Sequence, residues 1–256
     1  NYGEVYGGNA VSFDGTNDYI SVSDSSDLSF GDSSNDSEFS ISAWINMDDA
    51  TKFRIASKCA FDGSSLMEYT FTTSGSDALL LQLFDATTGN NIAGFGSTLT
   101  SSQGKWIHVA CTYDASESAS GIKIYVDGSD VTASTSTDGT YVAMHNTTAE
   151  LELGRLRSGS GTTTYSDGKI NNVKIFNTAL TQDQVRELYT KPELTLPTGI
   201  ASSALKLDMP MQEGSGVAIL DGSGNQNHGT GDGITWATGQ EYGFQHPLVR
   251  SNNPMV

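Results

Sequence analysis

Four oxygen-bearing side chains alternate with other residues in a glycine-rich stretch late in the sequence: Asp221, Ser223, Asn225 and Asn227. The glycines between them permit a tight backbone path. Several side-chain oxygens could therefore point at one centre, and Ca²⁺ prefers oxygen ligands in loops of this kind. This spacing makes the four residues candidate ligands of a structural calcium ion.

A second oxygen-rich turn lies near the start of the chain, at Asp14, Asn17 and Asp18. We add Asp14 and Asp18 to the candidate metal ligands. For both segments a second interpretation stays open, because Asp, Asn and Ser also form turns by hydrogen bonding to their own backbone.

Aromatic side chains are the other candidate binding groups, since a sugar site needs exposed rings beside convergent polar groups. Tyr69, Tyr141 and Tyr165 are the candidates that we retain for ligand binding; Phe71 and Trp236 are further aromatic residues of this kind. Each ring could instead pack in the core or at its edge, where folded proteins place most aromatic residues.

Paired carboxylates that could support catalysis are scarce. A retaining glycosidase needs two carboxyl groups about 5 Å apart, and the nearest pattern is Glu150-Leu151-Glu152-Leu153-Gly154. Because the two acids alternate with leucine, we expect them on the solvent face of a strand. The four histidines show neither metal-site nor triad spacing, and we expect His108 to be structural. The chain is therefore not expected to be an enzyme.

The composition favours an all-β fold and excludes some partners. Glycine occurs 28 times, whereas charged residues make up 17% of the 256 residues, which is typical of short strands joined by tight turns. The net charge of −17 disfavours phosphate backbones and anionic lipid headgroups. We expect neither nucleic acid nor membrane insertion, and no apolar run approaches the ~20 residues of a membrane span.

The cysteines and the start of the chain give two further expectations. Cys59 and Cys111 are the only cysteines; one disulfide is possible in principle, but two buried free thiols are favoured. The chain opens Asn-Tyr-Gly-Glu, without an initiator Met or an apolar signal segment. We expect a processed or truncated product.

Several segments that would position these residues show the period-2 alternation of half-buried strands. They are 19–22, 39–45, 79–84, 106–113, 122–126, 150–154 and 169–176. Asp127-Gly128 predicts a type I′ hairpin turn. One short helix is expected near 181–190, because Thr181 and Gln184 have capping-box spacing. Pro192, Pro197 and Gly199 then indicate a linker over 191–204.

Taken together, these motifs resemble the laminin-G-like jelly rolls, which share the concanavalin A-like lectin/glucanase fold and are related to the pentraxins. The resemblance rests on Val11-Ser12-Phe13-Asp14-Gly15-Thr16-Asn17-Asp18-Tyr19, Phe39 to Trp44, Trp106 to Ala110, Gly121 to Gly128 and Gly168 to Leu180. It implies a two-sheet antiparallel jelly-roll sandwich over residues 1–190, often with a structural calcium near the first strand.

The opening motif of that family stands in an unusual place. Leu207 to Gly216, followed by Asp221 to Gly229 and Trp236, resembles the first strand and turn of such domains, yet it comes after the linker. Residues 205–256 are too few for a second complete sandwich. Three explanations stay open: the segment completes its own sandwich, it pairs with a neighbouring subunit, or it is the start of a diverged repeat.

The resemblance implies a non-catalytic binding or adhesion module, with a glycan or another cell-surface receptor as its ligand. Similar arrangements in phage structural proteins and bacterial adhesins imply an extracellular or virion-surface location. The alternative is a structural or decoration protein of a phage particle or filament, assembled through residues 205–256 with identical subunits or other virion proteins. A polysaccharide-degrading enzyme is the third and weakest interpretation.

Overall fold

The computed structural model describes residues 8–61, 65–86, 89–157 and 162–237, which form short strands and one α-helix, α1 (Gln182–Thr190). In chain order the strands are β1 (Ala10–Asp14), β2 (Tyr19–Val22), β3 (Phe39–Met47), β4 (Arg54–Phe61), β5 (Ser65–Thr73), β6 (Ala78–Phe84), β7 (Asn91–Thr98), β8 (Trp106–Tyr113), β9 (Ile122–Val126), β10 (Ser129–Asp130), β11 (Ser134–Asp138), β12 (Leu151–Leu153), β13 (Arg155–Arg157), β14 (Thr163–Tyr165), β15 (Asp167–Phe176), β16 (Leu205–Met209), β17 (Ala218–Ile219), β18 (Gly229–Asp232) and β19 (Thr235–Ala237).

Two large antiparallel sheets pack face to face. The front sheet has the order β11-β7-β6-β5-β4-β12-β2-β18-β17. The back sheet has the order β10-β9-β8-β3-β15-β1-β19, and β16 also pairs with β15. Strands β13 and β14 form a separate two-stranded ribbon. The expected all-β jelly-roll sandwich with one short helix is confirmed.

The alternation read from the sequence is what builds the core between the sheets. Along β3, Ile41, Ala43 and Ile45 face the core, because successive side chains of a strand point to opposite faces. The turn between β9 and β10 also follows the sequence. Asp127 and Gly128 have φ values of 49° and 73°, as a type I′ turn requires.

Helix α1 covers the outer face of the back sheet. Its N-terminus has the expected capping box between Thr181 and Gln184, and Val185 and Leu188 pack with residues of the back sheet in a second apolar cluster. The ring of Tyr189 stacks on Trp44 with 5.8 Å between centroids. Among the described residues, no helix is long and apolar enough to cross a membrane.

Residues 205–237 add strands to both sheets of their own chain. β16 pairs with β15, β18 pairs with β2, and β19 pairs with β1. Leu207, Met209 and Ile219 are fully buried in the main core. Residues 238–256 of the predicted C-terminal block lie outside the described residues.

Both cysteines are buried and free, in agreement with the favoured expectation. Burial raises the pKa of each thiol far above its ordinary value, so the reactive thiolate is suppressed.

Candidate functional site on the front sheet

The outer face of the front sheet carries a row of mostly small polar side chains that crosses all nine strands. From β17 to β11 the row is Ala218, Thr230, Ser21, Glu152, Ser57, Thr70, Gln82, Ala93 and Ser136. The next row along the strands is Arg54, Thr72, Leu80, Phe95 and Ser134. We call this surface the front face.

A short ribbon crosses the middle of the front face. We call it the arginine hairpin: β13 and β14, residues 155–157 and 163–165. Gly154, with φ of 81°, redirects the chain from β12 into the hairpin, and a Cβ there would collide with the ring of Phe13. Ser57 Oγ donates to the carbonyl oxygen of Arg155 at 2.5 Å. The hairpin therefore separates the front face into two flanks.

Glu152 lies fully buried beneath two arginines. Arg155 donates from Nε to Oε2 at 3.0 Å and from Nη2 to Oε1 at 2.5 Å, and Arg157 Nη2 lies 2.5 Å from Oε1. The guanidinium of Arg155 also lies 3.2 Å from the ring centroid of Tyr19, within cation–π distance. Burial lowers the pKa of Arg155, but the hydrogen bonds and charge of Glu152 outweigh that effect and raise it.

This arrangement corrects one expectation from the sequence. Glu152 does point away from the core, as its alternation with leucine predicts, but it is 0% exposed, whereas the Glu150 side chain is 46% exposed. The arginine hairpin closes over Glu152 and engages both carboxylate oxygens. The two acids of the Glu150-Leu-Glu152 pattern therefore do not form the expected solvent-exposed pair.

Arg54 lies across the hairpin from Glu152. Its guanidinium is held between β14 of the hairpin and β5 of the front sheet. Its Nε donates to Thr164 Oγ1 at 2.9 Å and its Nη1 donates to Thr72 Oγ1 at 2.7 Å. The residue is 8% exposed, and burial lowers its pKa to about 10. Neither this residue nor the arginines of the hairpin were singled out from the sequence, although Arg54 interrupts an apolar run and Arg155 and Arg157 alternate with leucine.

Beyond Arg54, the flank formed by β6, β7 and β11 is partly open. Gln82, Asn91 and Phe95 are each half-buried, and Gln82 Nε2 donates to Asn91 Oδ1 at 2.8 Å. Leu80 lies beside Phe95 in the same row. This flank combines an aromatic ring with oriented amide groups, as saccharide sites do.

The predicted metal loop at 221–227 is held by hydrogen bonds. Asp221 Oδ1 accepts from the backbone N–H groups of Asp208 and Ser223 at 2.9 Å. Its Oδ2 accepts from Ser223 Oγ at 2.7 Å and from the N–H of Asn227 at 2.9 Å. Asn225 and Asn227 donate from Nδ2 to the carbonyl oxygen of Lys206. These hydrogen bonds hold the loop against the backbone of β16.

This pattern fits turn chemistry better than calcium coordination, because the Asp221 oxygens already face four N–H or O–H donors. At the first turn, Asp14 Oδ1 accepts from the N–H groups of Thr16 and Asn17 at 2.8 and 3.4 Å. Asp18 Oδ2 accepts from the N–H of Asp14 at 3.1 Å, and burial raises the pKa of Asp18. Across the described ranges, no three His, Cys, Asp or Glu side chains converge as metal ligands. The calcium assignment stays a prediction.

The three tyrosines predicted for ligand binding do not come together. Tyr69 is 0% exposed, and its hydroxyl donates to the carbonyl oxygen of Leu28 at 3.0 Å; assigning it to a ligand surface was wrong because it faces the core. Tyr141 is half-buried and donates to Asp36 Oδ2 at 2.7 Å. Tyr165 is half-buried in the arginine hairpin, opposite Arg155, and is the one of the three that lies at the front face.

Phe71 packs in the core and Trp236 packs against it. Phe71 is 0% exposed and belongs to the main core. Trp236 is half-buried, and its indole N–H donates to the carbonyl oxygen of Gly216 at 2.9 Å. His108 is buried between the back sheet and α1, where Ser42 Oγ lies 2.8 Å from its Nε2. Burial lowers the pKa of His108 to about 3, which agrees with a structural role.

Comparison with protein families gives one match. The model described as the concanavalin A-like lectin/glucanases superfamily matches residues 14–186. That range holds most strands of both sheets and the start of α1. No match was found among curated protein sequences.

Solved structures show the same fold at low sequence identity. A proposed carbohydrate-binding protein from Bacteroides ovatus ATCC 8483 matches with 21% identity and a TM-score of 0.59, over 91% of this chain and 60% of that one. A heptameric pentraxin from Limulus polyphemus matches with 15% identity, a TM-score of 0.48, and coverage of 71% and 82%. The binding domain of botulinum neurotoxin serotype G matches with 17% identity, a TM-score of 0.49, and coverage of 73% and 43%. The chain thus spans 60% of the length of the Bacteroides protein.

Proposed function

Because this chain belongs to the concanavalin A-like lectin/glucanases superfamily, we propose that it is a non-catalytic glycan-binding module whose binding surface is the front face. One observation carries the proposal: the back sheet is covered by α1, whereas the front sheet presents an aromatic ring and oriented amides at its surface. The Bacteroides protein with the same fold is itself described as carbohydrate-binding.

The open flank supplies the two kinds of contact that saccharides use. The ring of Phe95 offers an apolar face to the C–H groups of a sugar ring. The amides of Gln82 and Asn91 supply donors and acceptors for sugar hydroxyls. Their mutual hydrogen bond of 2.8 Å holds both groups in place before a ligand arrives, which lowers the ordering cost of binding.

A glycan microarray probed with the full chain tests this proposal, followed by calorimetry on the best ligand. We expect Phe95→Ala and Gln82→Ala each to weaken binding at least about tenfold, the loss that one stacking or buried polar contact gives. Leu220→Ala is the matched control, because Leu220 is 54% exposed and follows β17, at the opposite edge of the front sheet. Unchanged affinity in both front-face variants would contradict the site.

The absence of hydrolysis is part of the same proposal. It is supported by Glu152, whose carboxylate is buried and bound by two guanidinium groups rather than exposed beside a second acid. Incubation of the chain with laminarin and chromatography of the products tests it. Release of oligosaccharides would contradict a binding-only role.

We also propose that the module acts outside the cell, on an extracellular structure or a virion, where surface glycans are met. Fractionation of a source culture into cells, medium and particles, with antibody detection of the chain, tests this location. Recovery in the cell interior alone would contradict it.

Residues 205–237 complete the sandwich of their own chain in this proposal, rather than pair with a neighbouring subunit. The burial of Leu207, Met209 and Ile219 in the main core supports this arrangement. Light scattering of the full chain and of a version ending at Pro192 tests this. A monomeric full chain whose truncated form unfolds is expected, whereas an oligomer that truncation converts to folded monomers would favour the assembly role.

A further inference from the structure

The described part of the chain contains three buried cationic side chains: Arg54, Lys58 and Lys174. Lys58 Nζ lies 2.7 Å from Asp24 Oδ1 and 3.0 Å from Glu68 Oε1. Lys174 Nζ lies 2.5 Å from Asp208 Oδ1. Two of the three charges are thus neutralised by carboxylates, as buried charges ordinarily are.

Arg54 differs from both lysines. Its Nε and Nη1 donate to hydroxyl groups, those of Thr164 and Thr72, and within the described residues no carboxylate forms an ion pair with it. Burial lowers its pKa to about 10. The guanidinium therefore stays protonated at neutral pH and carries a positive charge that no carboxylate among the described residues pairs with.

The position of Arg54 makes this charge reachable. Within the described residues its Nη2 donates to no partner. Because Nη2 is not among the fully buried atoms that lack a hydrogen bond, it keeps some contact with solvent. The two threonine contacts hold the guanidinium plane between β5 and the arginine hairpin. The remaining N–H groups of this oriented guanidinium are therefore available to a ligand, and such an edge suits the two oxygens of a carboxylate or sulfate group.

A general excess of positive charge does not explain the arrangement, because the whole chain carries −17. Arg155 and Arg157, which belong to the hairpin itself, are bound to Glu152. Desolvating a charge without a partner is unfavourable, so the arrangement costs stability in the free protein. An anionic ligand group would offset that cost on binding.

We propose that Arg54 binds the anionic group of an acidic saccharide, a uronate carboxylate or a sulfate ester, and so sets the ligand class of the front face. This inference rests on the proposed glycan-binding function. The row Arg54, Thr72, Leu80, Phe95 spans three strand spacings, about 14 Å. An oligosaccharide, rather than a single sugar, covers that length from the guanidinium to the Phe95 ring.

The test uses the full chain and matched oligosaccharides on one array: oligogalacturonides with their carboxyl-reduced forms, and carrageenan oligosaccharides with their desulfated forms, beside a panel of neutral glycans. We expect at least about tenfold preference for the acidic member of one pair, the effect of one charge-assisted hydrogen-bonded contact. Which pair shows the preference distinguishes carboxylate from sulfate.

Two variants assign the preference to this residue. Arg54→Met is expected to abolish it and to keep or raise Tm, because it removes a buried charge that has no partner. Arg54→Lys keeps the charge and is expected to retain part of the preference. Lys123→Met removes the same charge from an exposed position on β9 of the back sheet and is expected to change nothing.

Each result decides between the two proposals. Equal binding of acidic and neutral members by the natural chain would overturn the role of Arg54 and leave the glycan-binding function standing. A preference that survives in Arg54→Met would also overturn that role, because another group would then read the anion. No binding to any glycan on the array would overturn both.

Discussion

Lys174 Nζ lies 2.5 Å from Asp208 Oδ1, and both side chains are about 5% exposed. This buried ion pair joins β15, in the part of the chain that matches the superfamily, to β16, in the C-terminal segment. Lys174 also donates to Asn172 Oδ1 at 2.7 Å. The charge of Lys174 on β15 is thus paired with a carboxylate only when β16 is in place.

Asp208→Ala is expected to lower the free energy of unfolding by about 3–5 kcal/mol, because it leaves the Lys174 charge buried without a partner. Asp183→Ala is the matched control. It breaks the exposed pair with Arg186 and is expected to cost about 1 kcal/mol or less. Urea denaturation followed by circular dichroism measures both. Equal losses in the two variants would show that Lys174 does not depend on Asp208.

Asp221→Ala is expected to destabilise the protein by the same amount with and without calcium. The carboxylate accepts four hydrogen bonds, and each buried donor left unsatisfied costs about 1–3 kcal/mol. Thermal denaturation in calcium and in EDTA measures the effect, with Asp14→Ala, in an exposed turn, as the milder comparison. A large fall in the Tm of the natural chain on adding EDTA would instead support the calcium assignment.

Glu187 is expected to make the free energy of unfolding depend on pH in the acidic range. The backbone N–H of Thr198, together with Lys191 and the Thr198 hydroxyl, lowers the pKa of Glu187 to about 2. A carboxyl whose pKa is depressed on folding stabilises the native state above its unfolded pKa, near 4.5, and loses that contribution as the pH falls towards 2. Carbon-13 NMR titration is expected to show the low value. In Glu187→Gln the stability lost between pH 4.5 and 2 is expected to be smaller than in the natural chain. An ordinary pKa for Glu187 in the titration would contradict the contacts between Thr198 of the linker and α1.

Glu152→Gln is expected to lower stability, because two guanidinium groups lose their shared counter-charge. Removing one partner of a buried pair typically costs about 3–5 kcal/mol. Glu150→Gln, at an exposed carboxyl 3.7 Å from Arg157, is the matched control and is expected to cost about 1 kcal/mol or less. Chemical denaturation measures both. Hydrolysis of laminarin by the natural chain, lost in Glu152→Gln without loss of folding, would instead identify Glu152 as a catalytic group.

The strands and the helix could be predicted because their signals are local. The alternation along β8 and the capping box at Thr181 depend only on residues within a few positions of each other. The burial of Tyr69 could also have been predicted. Tyr69 and Phe71 are two residues apart, so they share one face of β5, and two large aromatic residues on one face indicate the core. Retaining Tyr69 as a ligand-binding candidate overlooked that signal.

The candidate site could not be predicted in the same way. The alternation correctly turns Glu152 away from the core, but its burial depends on the arginine hairpin, which folds back over the sheet through contacts such as Ser57 with Arg155. Arg54 meets Thr164, 110 residues away in the sequence. Which side chains cover a sheet face is set by such distant contacts, and no local pattern encodes them.

The pairing of β1 with β19 also determines how the module responds to tension. Ala10 lies opposite Ala237, and the two strands run antiparallel, so the first residue of one strand and the last residue of the other meet at one corner of the back sheet. A force applied between Ala10 and Ala237 would pull on that corner and break the β1–β19 hydrogen bonds one after another, not all at once.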